Sequence, residues 1–200
     1  MKTRAAQQPR SKDGVGPSSV ALPAGTWPTI IDFLCAHFPA IPFAEWQARM
    51  DRGDVIDASG RALTVDSAYQ PHSKIYYYRS LPAEPRIPFD EVVLYQDDYL
   101  LVVDKPHFLP VTPAGRYLQE TLLVRLKRSL GIDTLAPMHR IDRETAGLVL
   151  FTIQPQTRNL YQTLFRERSV SKEYEAIAPL SDTLDLPTIY RSRLVESMPS

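Results

Sequence analysis

The sequence predicts an α+β fold: a mixed sheet domain with flanking helices, preceded by a small module of helices and short strands. Three observations carry that prediction. From residue 99 onward, β-prone apolar runs alternate with helical stripes in the order β, α, β, α, β. Between residues 26 and 80, two short helical patterns precede a set of short β-prone pieces. The chain is 44% hydrophobic, as a packed core requires, while proline at 18 of 200 residues is nearly twice the usual ~5% and calls for loops and short elements.

The elements follow in order. Residues 1–25 combine Gln, Pro, Ser, Gly and Lys with almost no large apolar side chain, so they are predicted to be a disordered basic tail. Thr29 to Phe38 places Ile30, Ile31, Leu34 and Phe38 at helical spacing, and Pro39 stops the pattern. Phe43 to Arg52 is a second helix with Phe43, Trp46 and Met50 on one side and Gly53 at its end. Val55-Ile56, Ala62 to Val65 and Lys74 to Tyr78 read as strands, the first two separated by a turn at Ser59-Gly60.

Leu81 to Pro88 holds three prolines and no glycine, the composition of a semi-rigid extended linker, and a second domain is expected from Phe89 onward. Tyr99 to Asp104 is a strand ended by Lys105-Pro106. Arg116 to Leu130 is a helix with Leu118, Leu122, Leu123, Leu126 and Leu130 on one stripe, Arg125, Lys127 and Arg128 opposite, and Gly131 as terminator. Gly147 to Ile153 is a strand. Pro155 opens a helix running to about Arg168 with Leu160, Leu164 and Phe165 inward, and Lys172 to Ala178 alternates as a strand.

Charge and composition then limit the function. The formal net charge is zero, but residues 1–20 carry +3, residues 21–104 carry −6 and residues 105–200 carry +3. That asymmetry keeps a nucleic-acid partner open despite the neutral total. The one cysteine, Cys35, excludes an internal disulfide framework and a cysteine-rich zinc site. It suits a reducing compartment. No apolar run approaches the ~20 residues of a membrane span, and the polar start of the chain lacks a secretory pattern. A cytoplasmic protein with no membrane partner is expected.

The densest polar cluster runs from Met138 to Gly147, directly before an apolar strand. Charged residues crowded into a loop on a rigid scaffold are a common seat of catalysis. Asp142 stands between Arg140 and Arg143, and a carboxylate beside guanidinium groups stays ionised, as a nucleophile or general base must. A plain surface ion pair would use the same residues. Other chemistries fail on spacing. No Gly-x-Gly-x-x-Gly or Walker pattern is present. Ile141 interrupts the contiguous His-Arg-Asp of a kinase loop. His37, His72, His107 and His139 lack the i, i+4 spacing of a helical zinc site. A hydrolase using Asp142 with Glu144 would need a sugar cleft, and nothing marks one.

The stretch His139-Arg140-Ile141-Asp142-Arg143-Glu144-Thr145-Ala146-Gly147-Leu148 resembles the catalytic motif of RluA-type pseudouridine synthases, His-Arg-Leu-Asp, two residues, Thr-Ser-Gly-Leu. Two further blocks stand in family order. Val102-Val103-Asp104-Lys105-Pro106 resembles the family's strand ending in Lys-Pro-x-Gly, with Phe108 where the glycine belongs. Phe165 to Ala176 resembles its Phe-x-x-Arg-x-Val-x-Lys-x-Tyr-x-Ala segment. The first module, two short helices, a glycine and strands, resembles an S4-type RNA-binding unit, with Arg49 and Arg52 as its helix cations.

The resemblance implies a largely antiparallel sheet with flanking helices. Residues 26–80 would be the S4-like module, 81–88 the linker, and 89–200 the N-terminal part of a catalytic domain that is incomplete at its C-terminus. It also implies a reaction: an RNA uridine, in ribosomal or transfer RNA, is cut at its N-glycosidic bond, the base turns, and it is rejoined through carbon. That isomerisation is redox-neutral and calls for no cofactor and no metal. Asp142 would be the essential carboxylate, whether it attacks ribose, attacks the base or promotes elimination. Tyr174 would stack on the uracil, and Arg140 would hold the place vacated by the flipped nucleotide. Substrate contacts are expected from His139, Arg143, Thr145, Lys105 and Lys172. Arg125, Lys127, Arg128, Arg158, Arg166 and Arg168 could meet RNA phosphates. A non-catalytic RNA-binding protein is the alternative.

Overall fold

The computed structural model describes residues 9–81, 83–179 and 189. The chain divides into a compact unit up to Ser169 and a second unit from Val170. Two antiparallel sheets and four helices make up the described elements. None of these helices is long and apolar enough to cross a membrane.

The first sheet is built from β1 (Ser18–Ala21), β2 (Val55–Asp57) and β3 (Lys74–Tyr77) in the order β1-β3-β2. Helices α1 (Ile30–His37) and α2 (Phe43–Asp51) pack beside it. Thr29 and Asp32 close α1 with a reciprocal capping box, which satisfies the first free amides of the helix. Trp46, Met50, Phe33 and Leu34 are buried with Leu22, Val55 and Ile75 in one core. Phe43 differs from expectation and points outward, 51% exposed, because it begins the helix at Pro42 rather than facing the core. Ala62 to Val65 makes only an isolated bridge, Ile56 to Ala62, instead of a strand.

The predicted tail needs correction over its second half, whereas residues 1–8 lie outside the described residues. Strand β1 pairs with β3 from Ser18–Tyr77 to Ala21–Lys74, and Leu22 is buried. Partner strands, not apolar bulk, hold this segment: its amides and carbonyls find their bonds in β3. Upstream, Lys12 and Val15 exchange two backbone bonds of 2.9 Å around Asp13 and Gly14. Both central residues have positive φ, the geometry of an Asp-Gly hairpin turn. Val15 is buried against Leu118 and Val124 of the second sheet's half of the unit. Lys12 Nζ donates to Asp54 at 2.7 Å, and the Tyr78 hydroxyl donates to the Arg10 carbonyl at 2.6 Å.

The predicted linker is extended and is pinned along its length. Glu84 accepts from the amides of Leu118, Gln119 and Glu120 at 2.7–2.8 Å. Ile87 is buried in the second core, and its amide donates to Glu120 at 2.9 Å.

The second sheet runs β4-β5-β7-β6, with β4 (Val92–Gln96), β5 (Leu100–Lys105), β6 (Ala136–Pro137) and β7 (Gly147–Thr152). All its pairings are antiparallel, and β5 is central. The period of two along β5 turns Leu101, Val103 and Lys105 to the same buried side. Helix α3 (Leu122–Leu130) covers that side with Leu122 and Leu126. It starts six residues later than its sequence pattern. Thr121 caps it, and residues 114–117 close a separate bridge instead of a first turn. Gly131, in the left-handed region, ends it as expected.

Helix α4 (Arg158–Arg166) buries none of its residues. Leu160 and Leu164 face outward, contrary to the inward stripe expected of them. Residues 171–179 form no strand, because alternation supplies β propensity but a strand also needs a hydrogen-bonding neighbour, and none pairs with it among the described residues.

Candidate active site

The polar loop 138–146 joins β6 to β7 and returns to the sheet at Gly147, whose φ of +117° is one that side chains rarely adopt. Gly147 lies directly opposite Lys105 in the β5–β7 register. Asp142 is exposed at the turn of this loop, and its carbonyl accepts from the Thr145 amide at 3.2 Å. Arg140 is exposed beside it, and Thr145 is half-buried.

Three side chains hold the loop. Lys105, wholly buried, donates from Nζ to the carbonyls of Pro106, Leu109 and Arg143 at 2.9, 2.8 and 3.2 Å. His107 donates from Nδ1 to the Glu144 carbonyl at 2.6 Å. Arg143 spans Glu144, at 2.7 Å from Nη2, and the Tyr117 hydroxyl, at 3.1 Å from Nη1. Its guanidinium holds the Glu144 carboxyl below the usual carboxylate range. Burial pulls the Lys105 ammonium down to about 8, against the opposing attraction of Glu144 and Asp142. The site is thus an exposed carboxylate on a loop whose backbone is fixed by buried or paired donors.

Several expected roles change. Lys105 cannot meet substrate: its three donors serve three backbone carbonyls inside the protein. His139 accepts from the Leu150 amide at 3.2 Å and stacks on Phe165 with centroids 4.6 Å apart, so it fastens the loop's start to β7 and α4. Arg125 is buried, not turned to solvent for phosphate. It donates to the carbonyls of Ile87 and Phe89 and pairs with Glu91 and Glu120. Arg49 of the first module is also buried, against Glu45 at 3.0 Å and over the ring of Trp46. Lys172 and Tyr174 lie in the second unit, where the lysine sits over the tyrosine ring at 5.9 Å.

Sequence reasoning missed Tyr117 and His107 as supports of the loop. The only local signal for Tyr117 was its place in a polar, glycine-containing turn, and its partner Arg143 is 26 residues away. His107 was legible only as the variable position of the Lys-Pro-x-Gly block.

In this chain an antiparallel sheet carries the site: interior strand β5 ends at Lys105-Pro106, and the loop between β6 and β7 presents exposed Asp142 between Arg140 and Arg143. Residues 99–196 match the family described as RNA pseudouridylate synthase. A Synechocystis protein named as an uncharacterized RNA pseudouridine synthase is 33% identical over 150 residues, 74% of this chain and 50% of its own length. The mitochondrial tRNA pseudouridine(32) synthase of Saccharomyces cerevisiae is 37% identical over 84 residues, 42% of this chain and 18% of its own. RNA pseudouridine synthase 5 of Oryza sativa is 30% identical over 141 residues, 64% of this chain and 36% of its own. Among solved structures, the human RNA Pseudouridylate Synthase Domain Containing 4 aligns with 38% of this chain and 30% of its own, at 32% identity and a TM-score of 0.32. The chain spans half or less of the length of these curated relatives.

Proposed function

We propose that this protein is an RNA pseudouridine synthase that isomerises uridines in ribosomal or transfer RNA, in the cytoplasm, with Asp142 as the essential carboxylate. The observation that carries this reading is the exposed Asp142 on a loop clamped through the Arg143 and Glu144 carbonyls, inside the segment that matches the family. In the reaction the N1–C1′ bond of uridine breaks and a C5–C1′ bond forms. The hydrogen on C5 leaves as a proton and N1 takes one, so the sum is an isomerisation with no electron transfer. Neither a cofactor nor a metal is needed for that balance.

The enzyme must first bring a stacked uridine out of the RNA, at a cost of a few kcal/mol. Arg140, exposed next to Asp142, is suited to fill the gap. Arg143 is suited to approach a phosphate or the base edge, although Glu144 and Tyr117 already hold it in one orientation. Tyr174 is assigned to the uracil face on the resemblance of its segment, as Lys172 is to a substrate contact. The S4-like module over residues 26–80 would add RNA affinity through groups other than Arg49. The printed name of the Saccharomyces cerevisiae relative, a tRNA pseudouridine(32) synthase, supports transfer RNA as a substrate class.

The test is a transcriptome-wide map of pseudouridine in cells lacking the gene, complemented by wild type or Asp142→Asn. One or more sites should vanish, return with wild type and stay absent with the variant. An unchanged map would leave a non-catalytic RNA-binding role.

A further inference from the structure

Beside the Asp142 loop lies a second feature that the isomerisation itself does not use. Phe108 has φ +66°, a left-handed backbone that a bulky side chain rarely adopts. Its ring is nevertheless half exposed instead of packed into the core. Phe89, also exposed, lies against it with centroids 6.2 Å apart, and the His107 ring is 5.9 Å from it. These rings line an open cleft of about 280 Å³ that also takes in Ala146, Asp90 and Asp104. The size is near the lower end of small-molecule sites, roughly 300–1,000 Å³. Ala146 belongs to the catalytic loop, and His107 is bonded to the Glu144 carbonyl of the same loop.

We propose that Phe108, supported by Phe89, is the stacking platform for an unpaired RNA base next to the target uridine, one that carries an exocyclic amine. This rests on the reading of the protein as an RNA uridine isomerase and deepens it to substrate selection. A nucleotide whose uridine reaches Asp142 must place its immediate neighbours along the same loop, and the cleft begins where that loop returns to the sheet. Aromatic faces accept any base by stacking. Asp90 and Asp104 are the acidic residues of the lining, and the ammonium of Lys105, also on it, is spent on backbone carbonyls, so a base rather than the phosphate backbone is the fitting occupant, and a carboxylate there can accept from its amino group. The strained backbone supports the same assignment. A glycine at residue 108 would relieve the positive φ, and a half-exposed phenylalanine there recovers only part of that strain through burial. The exposed half of the ring is left for something that lands on it.

The test uses the full-length protein and single-stranded RNA nonamers with one uridine and a 2-aminopurine immediately 5′ or 3′ of it. Wild type should quench the fluorescent base at one of the two positions. Phe108→Gly should abolish that quenching and weaken binding about 5- to 100-fold, while its melting temperature stays equal or rises. Phe108→Tyr should keep both quenching and affinity. Equal quenching by wild type and Phe108→Gly, or no quenching by wild type at either position, overturns the stacking assignment. Pseudouridine formation is assayed separately: if wild type forms none yet quenches through Phe108, the isomerase reading fails and the base platform stands.

Discussion

Lys105 Nζ lies 3.2 Å from the carbonyl oxygen of Arg143, joining the end of the central strand to the loop that carries Asp142. The bond exists because period-two alternation turns Lys105 into the core with Leu101 and Val103, and three carbonyls meet it there. Lys105→Met keeps the stem and removes the donors. It should destabilise the protein by about 2 kcal/mol or more, since buried acceptors are left unpaired, and should lower turnover more than RNA affinity. Denaturant unfolding together with a kcat and KM comparison checks this.

The same lysine sets a pH dependence of defined sign. Its folded value of about 8 lies below its ordinary 10.5. Between those values the unfolded chain binds the proton and the folded chain does not, so raising the pH favours folding. The stability of wild type relative to Lys105→Met should therefore rise from pH 8 to 10.5. Unfolding free energies across that range, with the Lys105 side-chain carbon shift followed by NMR, measure it.

Asp142→Asn should eliminate pseudouridine formation while changing stability by no more than about 0.5 kcal/mol, as expected for an exposed side chain. RNA binding should persist in a gel-shift assay. Measurable turnover by the purified variant would remove Asp142 from its assigned role.

Arg125 separates structural from RNA-binding cations. Arg125→Ala leaves Glu91 and Glu120 without their partner and should cost about 3–5 kcal/mol of stability. The salt dependence of RNA binding should not change, because a buried guanidinium neutralises no phosphate. Thermal unfolding and a salt titration of affinity report the two effects independently.

Val15→Asp tests the turn at Lys12–Val15. A carboxylate placed between Leu118 and Val124 should destabilise by about 2–4 kcal/mol. Amide exchange at Leu118 and Val124 should speed up with it.

Much of the architecture was legible locally. The spacing of Ile30, Ile31 and Leu34, the leucine stripe of α3 with Gly131 after it, and the apolar runs of β5 and β7 each obey a period that a few residues establish. The loop 138–147 was visible as the one place where charge concentrates between apolar flanks, and its order of residues pointed to the family that residues 99–196 match. Strand β1 was not legible, because Ser18–Ala21 carries little apolar signal and owes its form to β3, more than fifty residues away. The late start of α3 depends likewise on Glu84, which takes three amides of residues 118–120.

The sequence by itself determined the periods of its elements, the chemistry of the Asp142 loop and the kinship of residues 99–196. Only the tertiary structure decided which charges are spent inside the protein. Lys105, Arg125 and Arg49 look like surface cations in one dimension and are buried in three. The physical reason is that burial of a charge depends on acceptors brought together from distant segments, such as Ile87, Phe89 and Glu120 around Arg125. No local pattern encodes that meeting. The same applies to Phe108, whose exposure beside the catalytic loop follows from where β5, β7 and residue 89 converge.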